Sequence, residues 1–303
     1  MWNRERRRFA RVASVAAAFP LVAALLGGCT YASQQLDSAP GFDITPLKVV
    51  PAVADLVPEH IKADGILLVA AELTYPPMEF VAGDGQTAVG LDVDIAKALG
   101  RVMGLETQVV SAGFDAIIPA MGSRYEVGIS AFTITNPRLD AVNMVSYFAA
   151  GSQMAVRIGN PANLDPENIC GARIAVQTGT VQQEELEALN RGDCSGNPVV
   201  ILPYEAQADA TANLVGGKAD AMYADSPITE FAILQTGNVI EAFGPLNDAA
   251  PYGVLISKDD PEFAVAVQAA LQYLMDSGTL DKIASIWGNE QGALGLALLN
   301  PRS

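Results

Sequence analysis

Histidine is nearly absent from this sequence, with one in 303 residues, and cysteine is scarce, with three. The lone histidine, His60, sits in a Pro- and acid-containing stretch ahead of the first clear strand pattern. That excludes His-dependent catalytic triads and His-rich metal sites from any central cleft. No uninterrupted apolar run approaches the ~20 residues that a membrane-spanning helix needs, although half of the residues are apolar. Basic residues are few as well: 18 Lys and Arg stand against 34 Asp and Glu, for a net charge of -16. Nucleic acid and anionic lipid both require basic patches, so neither fits as a partner. A cationic or zwitterionic small ligand does.

The basic residues that exist are unevenly placed. Arg4, Arg6, Arg7, Arg8 and Arg11 precede an apolar stretch from Val12 to Leu26, then small residues and Cys29. Residues 1–28 therefore read as an export signal and not as part of the fold. Leu26-Gly27-Gly28-Cys29 resembles a lipobox, in which cleavage falls before the cysteine and a diacylglycerol is attached to its thiol. The plainer alternative is an ordinary cleavable signal with an incidental cysteine. Arg6-Arg7-Arg8-Phe9 also resembles a twin-arginine signal, which leaves the export route open. With Cys29 lipidated, Cys170 and Cys194 remain, and in an oxidising compartment they are expected to pair. Closing a loop of that length stabilises by roughly 3 kcal/mol in the chain-entropy model. The alternative is two buried thiols.

At 303 residues the chain is long enough for two packed lobes. Residues 29–62 show no sustained periodicity and are expected to form a tether. From Ile66 onward short apolar runs alternate with helical patterns, the signature of an α/β protein with largely parallel sheets. Strands are expected at Ile66–Ala70, Val127–Ser130, Gln153–Ile158, Arg173–Val176, Val199–Leu202, Ala219–Tyr223 and Tyr252–Ile256. Helices are expected from Asp92, a candidate N-cap, to Gly104, from about Asp115 to Met121, over Val181–Leu189 and over Phe263–Met275. Pro119 is tolerable in the second of these only near its start.

Three strand-to-helix junctions carry polar chemistry. In Gln177-Thr178-Gly179-Thr180-Val181-Gln182-Gln183, Thr180 and Gln183 have capping-box spacing, and the exposed N–H groups of such a helix start suit an anion. In Ser130-Ala131-Phe132-Thr133-Ile134-Thr135-Asn136-Pro137-Arg138, a strand leads to an arginine able to grip a carboxylate bidentately. In Ala224-Asp225-Ser226-Pro227, Asp225 falls at the carboxyl edge of a strand, where α/β sheets present ligands, and suits an ammonium. Each has a structural reading beside the functional one: a cap, a surface arginine, a capping aspartate. Glu72, Tyr75 and Phe114 follow or precede neighbouring elements and are candidates for lining the same slot.

These strings together closely resemble the family 3 extracellular solute-binding proteins, the polar amino acid receptors of ABC importers. The resemblance spans about Ile66 to Gly288 and rests on TYPPMEF at 74, GLDVDIAKAL at 90, FDAIIPAM at 114, TITNPR at 133, AVQTGT at 175, ADAMYADSP at 219 and APYGVLISKDDPE at 250. It implies a two-lobed periplasmic-binding-protein type II fold, with residues 63–150 and 251–303 in lobe 1 and 151–250 in lobe 2. It further implies that Arg138 and Thr133, with backbone N–H of Gly179 and Thr180, clamp an α-carboxylate. Asp225 and the carbonyl of Ala131 would take the α-ammonium, and Tyr75 and Phe114 would sandwich the ligand stem. Glu72 and Asp92 fall where some members contact an amide or cationic side chain. Glu72 replaces the usual aspartate, Pro137 stands where many members have Glu, and Gln177 where some have Lys.

The resemblance implies a monomer that needs no cofactor or metal, delivers a free polar amino acid to an ABC permease, and touches the membrane only through its lipid. Two acceptor carboxylates at the side-chain end favour glutamine or a basic amino acid over glutamate or aspartate. Rival readings are a cyclohexadienyl dehydratase-like enzyme, which some relatives of this fold are, and a tethered amino acid sensor.

Overall fold

The computed structural model describes residues 41–247 and 249–302. The expected signal peptide over residues 1–28, the lipidated Cys29 and the first part of the expected tether lie outside the described residues.

Helices α1 (Pro51–Ala54) and α2 (Glu59–Lys62) correct the expectation of a tether reaching residue 62. Val53, Val57 and Ile61 recur at every fourth position, an apolar stripe of helical spacing, and all three are buried in the first lobe. Polar contacts secure the same segment: Phe42 N–H donates to Asp94 Oδ2 at 2.8 Å, and Arg101 Nε donates to the Leu47 carbonyl at 2.9 Å. His60 thus sits on the lobe surface, its Nε2 2.7 Å from Asp260 Oδ2.

The first lobe continues through β1 (Ile66–Ala71), a small antiparallel sheet of β2 (Thr74–Tyr75), β3 (Glu79–Val81) and β4 (Ala88–Val89), α3 (Leu91–Met103), β5 (Glu106–Ser111), α4 (Phe114–Ala120), β6 (Val127–Gly128), α5 (Asn136–Ala141) and β7 (Val142–Ala150). The second lobe holds β8 (Ser152–Arg157), β9 (Arg173–Gln177), α6 (Val181–Arg191), β10 (Val200–Tyr204), α7 (Gln207–Val215), β11 (Ala221–Asp225), α8 (Ser226–Gln235) and β12 (Ile240–Phe243). The chain then returns to the first lobe as β13 (Ala250–Ser257), α9 (Pro261–Asp276) and α10 (Thr279–Ile286).

The two five-stranded sheets have matching orders, β5-β1-β6-β13-β7 and β10-β9-β11-β8-β12. In each, two parallel pairings are followed by two antiparallel ones. The reversal falls where a strand arrives from the other lobe, β13 in the first sheet and β8 in the second. Parallel strands joined by helices aim their carboxyl ends at one edge, and here those edges face each other.

The larger core packs Ile95, Leu99 and Val102 of α3 against Phe263, Val267, Leu271 and Leu274 of α9 across β1, β7 and β13. Strand β7 had no counterpart among the expected strands. Its run Val-Asn-Met-Val-Ser-Tyr-Phe-Ala-Ala lacks alternation because both faces are covered, with eight of nine residues buried. Pro119 lies one residue from the end of α4 rather than near its start, and Met121 leaves the helix to bridge Tyr125. Gly90 precedes α3 at φ 134°, where a Cβ would strike the Met78 carbonyl, so that turn accepts only glycine. In the second lobe Cys170 and Cys194 form the expected disulfide, with Cα atoms 5.2 Å apart.

Two connections join the lobes, Gly151 between β7 and β8 and residues 244–249 between β12 and β13. They run side by side: Asn247 N–H donates to the Ser152 carbonyl at 3.0 Å, and Ser226 N–H to that of Gly151 at 2.7 Å.

Candidate functional site

The facing edges deliver polar groups from both lobes to one place. Helix α5 starts at Thr135, whose Oγ1 accepts the Arg138 N–H at 3.4 Å, a capping role the sequence reading had not given it. The cap and Pro137 fix the first turn, and the guanidinium reaches inward over Phe114 and Phe132, 5.5 Å from each ring centroid. Those rings stack with centroids 4.3 Å apart. Arg138 donates from Nη1 to the Thr133 carbonyl at 2.8 Å and from Nη2 to the Gly179 carbonyl of the other lobe at 3.0 Å. It is 8 % exposed, and among the described residues no carboxylate lies within salt-bridge distance of it. Burial lowers its pKa from the ordinary value, and the nearby carboxylates Glu184 and Asp225 oppose that.

Opposite, Asp225 closes β11 and occupies the N-cap position of α8, yet its side chain caps nothing. Its Oδ2 accepts from Tyr75 OH across the lobe boundary at 2.8 Å, and its Oδ1 from Gln182 Nε2 at 2.7 Å. Burial raises its pKa to about 6, against the hydrogen bonds from Tyr75 and Gln182 that favour the carboxylate. A buried guanidinium and a buried carboxylate thus stand on opposite lobes, each bonded mainly to neutral groups.

Tyr75, Phe114, Ala131, Thr133, Arg138, Thr180 and Asp225 converge on one cavity at the lobe junction, as the sequence reading grouped them. Val181 and Gln182 join them, and the sequence reading had passed over both. The only signal for Gln182 was its place in the first turn after the Gly179-Thr180 start, where an amide can face the site. The cavity is only about 10 Å³, room for about one water.

Three expectations need correction. The Gly179 N–H is not free for an anion, since it donates to Gln183 Oε1 at 2.8 Å; Gly179 instead offers its carbonyl to Arg138. The Thr180 half of the expected capping box forms, its Oγ1 accepting from Gln183 N–H at 3.4 Å, while the Gln183 side chain reaches past Thr180 to Gly179. Asp92 does not line the cavity. Gly90, not Asp92, is the N-cap of α3, and the fully buried Asp92 carboxylate accepts from Ala131 N–H at 2.8 Å and from Tyr147 OH at 2.7 Å. Being in the first helical turn, it points under the site rather than into it.

Glu72 lies just beyond β1 and is 6 % exposed. Its Oε2 accepts from Thr74 Oγ1 at 2.9 Å and, across the boundary, from Gln177 Nε2 at 3.1 Å. Burial raises its pKa, opposed by those two hydrogen bonds. Among the described residues no cluster of His, Cys, Asp or Glu is arranged to hold a metal.

Two α/β lobes on a double crossover, with opposite charges converging from both sides, define a two-lobed binding protein. The chain belongs to the bacterial extracellular solute-binding proteins, family 3, whose model matches residues 67–290. It is 34% identical to the Arginine-binding protein ArgT of Corynebacterium glutamicum over 83% of each chain. To the L-arginine-binding protein of Pseudomonas aeruginosa it is 30% identical, over 73% of this chain and 87% of that protein. Among solved structures, an ancestral arginine-binding protein bound to arginine superposes with a TM-score of 0.69 at 28% identity, covering 74% of this chain and 98% of that one.

Proposed function

We propose that this chain captures a free amino acid with a cationic or donor-bearing side chain, arginine first and glutamine next, outside the cytoplasm and delivers it to an ABC importer. The observation that carries the reading is the opposed pair Arg138 and Asp225, both buried and on different lobes. A zwitterionic α-carbon head satisfies both charges at once, and only with the lobes together. Arg138, Thr133 and the Thr180 N–H hold the carboxylate; Asp225 and the Ala131 carbonyl hold the ammonium; Tyr75 and Phe114 flank the stem. Because these contacts span the boundary, ligand affinity differs between open and closed forms, and that difference drives closure. Residues 63–150 with 251–303, carrying the docked residues 51–62, and residues 151–250 are the two bodies that move.

Glu72 supports the side-chain preference. It is an acceptor near the lobe junction, and the shared bond with Gln177 leaves it acceptor capacity for a guanidinium or amide. The arginine-binding names of the two relatives point the same way. Anchoring through Cys29 by lipid, action as a monomer and lack of enzymatic turnover complete the reading.

Calorimetry on protein refolded free of bound ligand decides it, with arginine, lysine, glutamine and glutamate compared for the wild type and Glu72→Gln. Arginine binds tightest to the wild type, and E72Q loses about tenfold or more for arginine while glutamine changes less. Tight glutamate binding with no response to arginine or glutamine overturns the assignment. Turnover of prephenate or arogenate would overturn the non-enzymatic part.

A further inference from the structure

Beneath the site, Glu79 of β3 is 0 % exposed and is bonded to Ser130, the residue before Ala131. A count of protons fixes its state. Ser130 Oγ accepts the Glu72 N–H at 3.0 Å, so its single hydroxyl proton goes to Glu79 Oε1, 2.6 Å away. Glu79 Oε2 receives no donor among the described residues. The group beside it is the carboxyl of Asp92: Asp92 N–H donates to the carbonyl of Met78, next to Glu79, at 2.8 Å, and Asp92 Oδ2 holds Ala131, next to Ser130. Asp92 accepts from two donors, Ala131 N–H and Tyr147 OH, which favour its charged form, whereas Glu79 accepts from one. Two carboxyls buried side by side without a cation are relieved by one proton, and its place is the unpartnered Glu79 Oε2.

We infer that Glu79 is a positioning residue, a neutral carboxylic acid that shares its proton with Asp92 and through it holds the Ala131 carbonyl at the angle the ligand ammonium needs. Ala131 sits at φ 49°, a region that non-glycine residues seldom occupy, and its N–H is fixed by Asp92. The Asp92 carboxylate, which holds that turn, is itself held by the Glu79 proton. The groups facing Glu79 are Asp92 from α3, Glu72 beyond β1, Tyr75 from β2 and Tyr147 from β7, and no cation is among those acting on it. Burial first, then the Asp92 and Glu72 charges, push Glu79 well above the ordinary glutamate range. The shared proton is held below the raised value and lost as pH rises through it, while Asp92, raised to about 6, must be ionised to receive it. Deprotonation leaves two carboxylates in contact without a counter-charge, and the Ala131 turn must shift to separate them.

This inference rests on the ligand reading of the site, and the test separates the two. Arginine affinity is measured by calorimetry from about pH 6 to about pH 10 for the full chain, Glu79→Gln, Glu79→Ala and, as control, Asp225→Asn. A glutamine amide donates to Asp92 and accepts from Ser130 as the neutral acid does. E79Q therefore stays within about threefold of the wild type at neutral pH, E79A weakens by about tenfold or more, and the wild type loses affinity at alkaline pH more steeply than E79Q. The α-ammonium of arginine titrates equally in both, so only the difference between profiles counts. E79Q as weak as E79A, E79A as strong as the wild type, or superimposable profiles for wild type and E79Q would overturn the inference. If D225N binds arginine as the wild type does, the reading of the site itself has failed. Should the Glu79 variants misfold, the infrared protonated-carboxyl band of the wild type at neutral pH decides, and its absence is negative.

Discussion

Lowering the pH from about 7 to about 5 weakens arginine binding while raising the stability of the ligand-free fold, and Asp225 is a principal cause of both. Its carboxyl is 5 % exposed, and desolvation moves it from 3.8 to about 6. A group whose folded pKa is raised contributes stability that is present below the unfolded value and lost as pH rises through the folded one. Moving from 3.8 to about 6 corresponds to at most ~3 kcal/mol, present near pH 4 and lost by about pH 7. The ligand ammonium needs the carboxylate, so affinity runs the other way. At about pH 5 roughly one-tenth of Asp225 is ionised, so its contribution to affinity falls about tenfold, or ~1.4 kcal/mol. Asp92, also raised to about 6, adds to the stability trend without touching the cavity. Glu72 shares the direction, so the wild-type slope alone does not single out Asp225. The discriminating assay is calorimetry of arginine against pH in the wild type and Asp225→Asn. The variant is weaker at neutral pH by about 2 kcal/mol, the worth of a hydrogen bond to a charged group, and its affinity changes with pH by about one coupled proton less. Parallel curves for the two proteins would refute the reasoning.

Three further outcomes follow from separate parts of the molecule. Arg138→Ala removes two charge-assisted bonds to the ligand carboxylate and raises the arginine Kd by about 100-fold; because the guanidinium has no carboxylate partner among the described residues, denaturant unfolding stays within about 1 kcal/mol. Replacing Cys170 and Cys194 by Ser lowers stability by about 3 kcal/mol, measured by urea melts, and leaves arginine affinity within about twofold, since the disulfide is remote from the cavity. Ile61→Ala costs about 2–4 kcal/mol in the same melts; no loss would mean that residues 51–62 behave as the free tether their sequence suggested.

Much of the site was readable because it is built from local rules. A strand followed by Gly179-Thr180 or by Asn136-Pro137 must start a helix there, and helix starts at strand ends are where α/β folds collect polar groups. That made Arg138, Thr180 and Asp225 candidates, and the family resemblance gathered them into one site. Asp92 was misread for the converse reason. A carboxylate in the first turn of α3 fits a cap or a ligand contact equally well in sequence, and only the packing of Ala131 and Tyr147 over it showed that both its oxygens were engaged. The buried Glu79 was invisible as an acid-state question, since its protonation depends on an Asp92 and a Ser130 brought to it by separate elements.

By itself the sequence determined the α/β alternation from Ile66 onward, the polar junctions and the pairing of the two remaining cysteines, because period, capping and turn chemistry act over a few residues. Only the tertiary structure decided that Val53, Val57 and Ile61 dock on the first lobe, that β7 is a buried strand paired to β13 from about a hundred residues away, and that Arg138 and Asp225 line one cavity from opposite sides of the boundary. Each of these depends on burial against a partner distant in sequence, and no local pattern specifies which partner that is.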